Sequence, residues 1–349
     1  MVVLSLDSSR VPDIRVRAHA PGRVNIIGDH TDYTGGLVLP MAIDLGTTVE
    51  LDVGGDVVTL TSEAEADLAR VPLDVEEPSS ISPAWARYVA GVVAELRPAQ
   101  GGTGTVRTTI PLGAGLSSSA ALEVAVALAL GFTGSPLELA ECCQRAEQRA
   151  SGVPCGIMDQ LASAAGVDGH ALLIDCRSLV VTPVLLPEDV AVVAVHSGQS
   201  RTLAGSAYAD RRAGCEAAAH AIGPLRDAKL DDVARLVDGE QRRLARHVVT
   251  ENGRVAAFAE ALGRGDVDGA GALMYESHAS LRDDFAVSTP VLDQLVERLR
   301  RVPGVHGARL TGGGFGGAVV ALCERGVTIP GGMPLRPSAG AAVRRDVRA

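Results

Sequence analysis

Between Pro21 and Pro40 the chain reads PGRVNIIGDHTDYTGGLVLP, gathering Arg23, Asn25, Asp29, His30, Asp32 and Tyr33 within eleven positions. These groups stand beside apolar residues such as Ile26 and Ile27, where an ordinary charged surface turn has no use for them. A polyol ligand does, because each hydroxyl needs its own donor or acceptor. Carboxylates and imidazoles supply them.

A second stretch suits an anion. Residues Ile110 to Leu130 read IPLGAGLSSSAALEVAVALAL. Gly113 and Gly115 permit positive φ and close approach of the backbone to a ligand. Ser117, Ser118 and Ser119 then fall at a predicted helix start, where serine is a good N-cap and the free N–H groups favour negative charge. The following residues are apolar on nearly all sides, which predicts a buried helix. A third stretch, LTGGGFGGAVVAL from Leu310 to Leu322, sets five glycines around one phenylalanine ahead of a strand-like run. Such glycine density marks backbone pressed against a ligand or another segment.

The elements that must position these groups follow an α+β pattern. Strand-like runs cover Thr47 to Val53, Val57 to Thr61 and Val106 to Ile110. Glu141 to Ala150 has helical composition, and Gly152 and Pro154 stop that helix. A further helix begins in CGIMDQLASAAG, with Asp159 in its first turns.

Composition narrows the function. The 349 residues suit two domains, and 46% hydrophobic content allows a sizeable core. With only 3% aromatics, that core must be built mostly from Ala, Val and Leu. A net charge of -10 argues against nucleic-acid or anionic-membrane binding. No apolar run reaches the length of a membrane span, and the opening MVVLSLDSSR is too short and polar for a secretory signal. The six cysteines form no CxxC and are expected to be reduced thiols in a cytosolic protein. Of 32 basic residues only Lys229 is lysine. A Walker A loop needs Gly-Lys-Ser/Thr, and a protein-kinase scheme needs a strand lysine; both are absent. If ATP binds, arginine, magnesium, backbone amides and a helix dipole must meet its phosphates.

The three stretches, in this order, resemble the signatures of galactokinases, within the superfamily of kinases for galactose, homoserine, mevalonate and phosphomevalonate. The resemblance extends from about Arg17 to Leu322. It implies an N-terminal lobe of the ribosomal-protein-S5 domain 2 type over residues 1–168, binding sugar and ATP. A ferredoxin-like lobe follows over residues 169–349, shortened after 324. The reaction implied is ATP-dependent phosphorylation of the anomeric hydroxyl of α-D-galactose, giving galactose 1-phosphate and ADP. The alternatives are a sister sugar-1-kinase, for N-acetylgalactosamine or a C6-modified galactose, and a non-catalytic galactose sensor.

By the same resemblance, Asp159 in GIMDQ is the catalytic aspartate and Arg23 its partner. Asp29, His30, Asp32, Gly156 and Tyr208 bind the sugar. Gly113, Gly115, Leu116, Ser117, Ser118, Ser119 and Trp85 bind the nucleotide, and Ser119 with Glu147 holds Mg²⁺. Galactose and ATP are the expected partners, with neither nucleic acid nor membrane, for a cytoplasmic monomer or weak homodimer. Three departures stand out. Asp29 replaces the family's usual glutamate, and His196-Ser197 replaces a frequent Asn-Ser. No helical segment fits after Glu324, which predicts a C-terminal sheet without its usual cover, exposing an apolar face or inviting a partner.

Overall fold

The computed structural model describes residues 13–348 except Leu112 and 200–203. The opening ten residues, Leu112 of the second stretch and 200–203 of the segment leading to Tyr208 therefore lie outside the described residues.

The first half runs β1 (Asp13–Ile27), β2 (Leu37–Val53), β3 (Val57–Ser62), β4 (Ala69–Pro72), α1 (Ala86–Leu96), β5 (Gly102–Thr108), α2 (Ser118–Ala129), α3 (Pro136–Ser151) and α4 (Met158–Ala165). Then follow β6 (His170–Asp175), β7 (Val180–Leu185), β8 (Val190–His196), α5 (Ala204–Ile222), α6 (Leu230–Ala234), α7 (Gly239–Gly263) and α8 (Val267–Asp283). The last elements are α9 (Pro290–Arg300), β9 (Val305–Thr311), β10 (Ala318–Glu324), β11 (Gly332–Leu335) and β12 (Ala342–Arg348).

One sheet has the order β12-β1-β2-β5-β3-β4, with β6 and β7 attached through β2. Strands on both sides of residue 168 thus share one sheet. The long β1–β2 hairpin breaks register between Pro21 and Arg23 and again between Asn25 and Ile27. Such irregularities re-aim side chains, and Arg23 lies between the two. Val16, Val49, Leu51 and Val106 from the sheet pack with Val89, Val92 and Val124 of the covering helices.

Local sequence explains the helix boundaries. Ser135 and Glu138 form a reciprocal capping box at the start of α3, with Pro136 in its first turn. Gly152, at φ 70°, ends it in the left-handed conformation. The apolar run of α2 is buried from Ala120 to Ala127, as its composition predicts. In α9, Leu292, Leu295, Val296 and Leu299 recur at helical spacing and form its buried face. The strand predicted over Val106 to Ile110 instead starts at Gly102 and stops at Thr108. Its first half, GTGT, has too little apolar alternation to read as a strand, but it pairs with both β2 and β3.

The second sheet has the order β11-β8-β10-β9, all antiparallel, which is the ferredoxin-like arrangement. No helix separates β10 from β11 among the described residues, in keeping with the short segment after Glu324. The expected exposed apolar face is not found. Val192, Ala194, Val320 and Leu322 pack in one buried cluster with Phe258 and Met274. On the other face Val193, Val195, Val319 and Ala321 pack with Leu244, Leu292 and Leu299. Helices α5 to α9 and the first lobe cover this sheet without the missing helix.

Candidate active site

The loop between β1 and β2 carries Asp29, His30, Asp32 and Tyr33, and the second lobe holds its backbone. Gly28 has φ 99°, and a Cβ there would lie 2.8 Å from the Leu37 carbonyl, so the turn requires glycine. Three residues on one side of α7 reach this loop. His247 Nε2 donates to the Asp29 carbonyl at 3.1 Å. The Glu251 carboxylate accepts from the Gly28 N–H at 3.1 Å, and Asn252 Oδ1 accepts from the Leu37 N–H at 2.7 Å.

Held this way, the loop lines a cavity of about 220 Å³ together with residues from α3, α4, α5 and the β9–β10 turn. Arg23, Asp29, His30, Asp32, Gly156, Asp159 and Tyr208 all line it. Asn25 does not: its side chain is fully buried behind the wall. The Tyr33 hydroxyl is 3.0 Å from His30 Nδ1 and backs that ring.

Residues far apart in sequence meet here. Arg23 makes a two-point contact with Asp159, Nε to Oδ1 at 2.7 Å and Nη2 to Oδ2 at 2.6 Å. Its remaining nitrogen, Nη1, donates to the Gly115 carbonyl at 2.9 Å. The Ser117 hydroxyl donates to Asp159 Oδ2 at 2.5 Å. Burial and then the charge of Asp159 raise the Asp32 carboxyl to about 7. Burial, followed by the His247 charge, lowers His30 to about 3, so its imidazole is neutral at physiological pH. Gly156 cannot be larger without moving Asp32, because a Cβ would sit 1.8 Å from Asp32 Oδ2.

A second cavity of about 240 Å³ adjoins the start of α2 and is lined by Trp85, Tyr88, Ser118 and Ser119, among others. Trp85 is fixed by its indole N–H, which donates to the Asp67 carbonyl at 3.0 Å. Gly113 and Gly115 have φ of 72° and 76°, as a close-approaching loop predicts. Leu116 is buried, and its carbonyl accepts from the Arg23 N–H. The predicted serine cap is not formed. Ser117 precedes the helix but is itself left-handed, at φ 57°, and its hydroxyl is committed to Asp159. No side chain therefore caps the first turn of α2, whose N–H groups suit an anion.

Ser119 and Glu147 join the two cavities, with Oγ 3.0 Å from Oε1. Burial, then the Asp159 charge, raises the Glu147 carboxyl to about 7. A divalent cation would reverse that bias. Among the described residues no group of three or more His, Cys, Asp or Glu could hold a metal. A hydroxyl and a carboxylate nevertheless fit a magnesium ion that takes its other oxygens from phosphate and water.

Several contributing residues were not singled out from sequence. Gln160 donates to Glu147 Oε2 at 2.5 Å and to Glu123 Oε2 at 3.2 Å. Glu123 was the single charge in an apolar helix, which was its available signal. Arg309, beside the third glycine stretch, was likewise the lone charge in an apolar strand. Tyr88 lies one turn beyond Trp85. His196 donates from Nε2 to the Gly113 carbonyl at 3.3 Å, while its Nδ1 accepts from the Gly198 N–H. This links β8 to the phosphate-like loop.

Two lobes with these adjoining cavities define a GHMP-type small-molecule kinase. The GHMP kinases N terminal domain matches residues 87–167, and the GHMP kinases C terminal domain matches 258–346. The galactokinase galactose-binding signature matches residues 9–52. The chain is 48% identical over 335 residues to the galactokinase of Homo sapiens, covering 90% of this chain and 84% of that protein. It is 45% identical over 341 residues to that of Chloroflexus aggregans, covering 90% and 85%. The crystal structure of Lactococcus lactis galactokinase complexed with galactose matches at TM-score 0.87 and 30% identity, over 94% of this chain and 95% of that one. The chain belongs to the galactokinase family of the GHMP kinases.

Proposed function

We propose that this protein transfers the γ-phosphoryl group of ATP to the anomeric hydroxyl of α-D-galactose. The single observation that carries this reading is the Arg23–Asp159–Ser117 cluster, set between a polyhydroxyl-type cavity and a helix N-terminus. Galactose occupies the first cavity, among Asp29, His30, Asp32, Gly156 and Tyr208. The base of ATP enters the second beside Trp85. Its phosphates lie against Gly113, Gly115, Leu116 and the serines Ser117 to Ser119.

Asp159 holds the attacking hydroxyl in line with the phosphorus atom. A carboxylate offers about four lone-pair sites, and three donors already occupy this one. One position remains for the sugar. A loose transition state asks little of the nucleophile early, so Asp159 takes its proton late, as the new O–P bond forms and the bond to the ADP oxygen breaks. Arg23 keeps that carboxylate oriented, and its charge faces the group being transferred. Ser119 and Glu147 hold Mg²⁺, which when bound offsets phosphate charge. Every assigned residue comes from one chain, so a monomer suffices. The free cysteines suit a reducing compartment such as cytoplasm, and no described helix is long and apolar enough to cross a membrane.

ADP release with Mg-ATP should be measured against galactose, glucose, N-acetylgalactosamine, galacturonate and 6-deoxygalactose. Turnover strongly favouring galactose is expected. Preference for a C2- or C6-modified sugar would transfer the protein to a sister kinase, and no turnover with any sugar would remove the catalytic assignment.

A further inference from the structure

Among the described residues Arg309 is the largest fully buried side chain; it lies in β9 and belongs to neither the nucleotide cavity nor the sugar signature. Its guanidinium crosses into the first lobe. Nη2 donates to Asp29 Oδ2 at 2.5 Å, and Nη1 donates to the Ile26 carbonyl at 3.2 Å. The other Asp29 oxygen, Oδ1, accepts from the Gly312 N–H at 3.0 Å. Asp29 is only 2% exposed, yet it lines the first cavity. Both of its oxygens are thus held by the second lobe before any ligand arrives.

We propose that Arg309 is the positioning residue of the sugar cavity. Through Asp29 and the Ile26 carbonyl it fixes one wall of that cavity, and so determines how well galactose is bound. This rests on the galactokinase reading above. The chemistry is specific to arginine: a planar fork can serve a carboxylate and a carbonyl together, which an ammonium at the end of a flexible stem does less well. The same cation adds to the effects that keep the neighbouring His30 neutral. Without Arg309 the buried Asp29 side chain would lose the guanidinium that holds Oδ2, and would shift or rotate. Either change alters the hydrogen-bonding groups presented to the sugar. The nucleotide cavity uses none of these contacts, so ATP binding should not follow.

The test compares Asp29→Asn, Arg309→Lys and their combination, measuring KM for galactose, KM for ATP and melting temperature, with Arg309→Gln replacing an insoluble Arg309→Lys. Each single substitution is expected to raise the galactose KM by about tenfold or more, with the ATP KM within about twofold of wild type. Because the two side chains act as one unit, the combined variant should be no worse than the poorer single variant. A galactose KM within about threefold of wild type overturns the proposal. So does a parallel rise in both KM values, which marks a purely structural role, and so do fully multiplicative effects. Wild-type protein that releases no ADP with galactose instead overturns the functional reading, and the proposal with it.

Discussion

Asp159 accepts from two Arg23 nitrogens and from the Ser117 hydroxyl, an arrangement better suited to aligning a hydroxyl than to stripping its proton early. Asp159→Asn should therefore abolish turnover, while galactose affinity, measured by calorimetry, stays within about threefold of wild type. Activity within about tenfold of wild type would remove Asp159 as a catalytic residue. Asp32 provides the pH test. Its carboxyl is raised to about 7 in the ligand-free site, and the ionised form is the stronger acceptor for sugar hydroxyls. Galactose binding without nucleotide should tighten as pH rises towards that value, by up to about tenfold per pH unit. Asp32→Asn should flatten the profile; a wild-type profile already flat across neutral pH would count against ionised Asp32 as a sugar ligand. The types and spacing of Arg23, Asp29, His30 and Asp32 announced a polyol ligand in the sequence, whereas the role of Asp159 was implied by family resemblance. Their contacts did not follow from spacing, because Arg23 and Asp159 lie 136 positions apart and no local periodicity reports such a pairing. The expected serine cap at the start of α2 is missing for a related reason, because the Ser117 hydroxyl goes to Asp159 instead. A cap is a local rule, and here a carboxylate from another helix competes successfully for it.

Among the elements, helices α1, α3 and α4 surround α2 and determine where its first turn points. The α1–α3 contact depends on a missing side chain: a Cβ on Gly91 would sit 2.3 Å from the Ala146 carbonyl. Gly91→Ala should push the helices apart and cost about 1–3 kcal/mol, visible as a lower midpoint in urea unfolding. An unchanged midpoint would show that the pair has slack. Gly156→Ala acts on the site instead, because its methyl group would displace the Asp32 carboxylate. It should raise the galactose KM by about tenfold with little change in the ATP KM, and equal changes in both would argue against a local effect. The end of α3 and the body of α2 were readable, because Gly152 and Pro154 punctuate the first and only Glu123 interrupts the apolar run of the second. The start of β5 was not, since glycines rather than apolar side chains occupy its inward positions and leave no hydrophobic alternation to read. The face of α7 that holds the sugar loop was also hidden. His247, Glu251 and Asn252 lie in a helix whose other residues account for an ordinary amphipathic pattern.

At the scale of the molecule, the two-lobed organisation was implied by family resemblance, and the missing helix after Glu324 by the composition of that segment. Its expected consequence, an uncovered apolar face, failed because both faces of the second sheet already have partners. What no pattern showed was the destination of the final strand. β12 leaves the second lobe and pairs with β1, with Asp13 opposite Arg348 and His19 opposite Ala342. Its exposed Arg344, Arg345 and Asp346 blunt the edge of the first sheet. Deleting residues 342–349 should bare the edge of β1, lowering the melting temperature and promoting concentration-dependent association in light scattering; a monomer melting as before would show that β12 is dispensable. The pairing also bears on how the protein is made. A ribosome delivers β12 only after the other elements of both lobes, so until then the first sheet has one edge open to solvent, neighbouring nascent chains and chaperones.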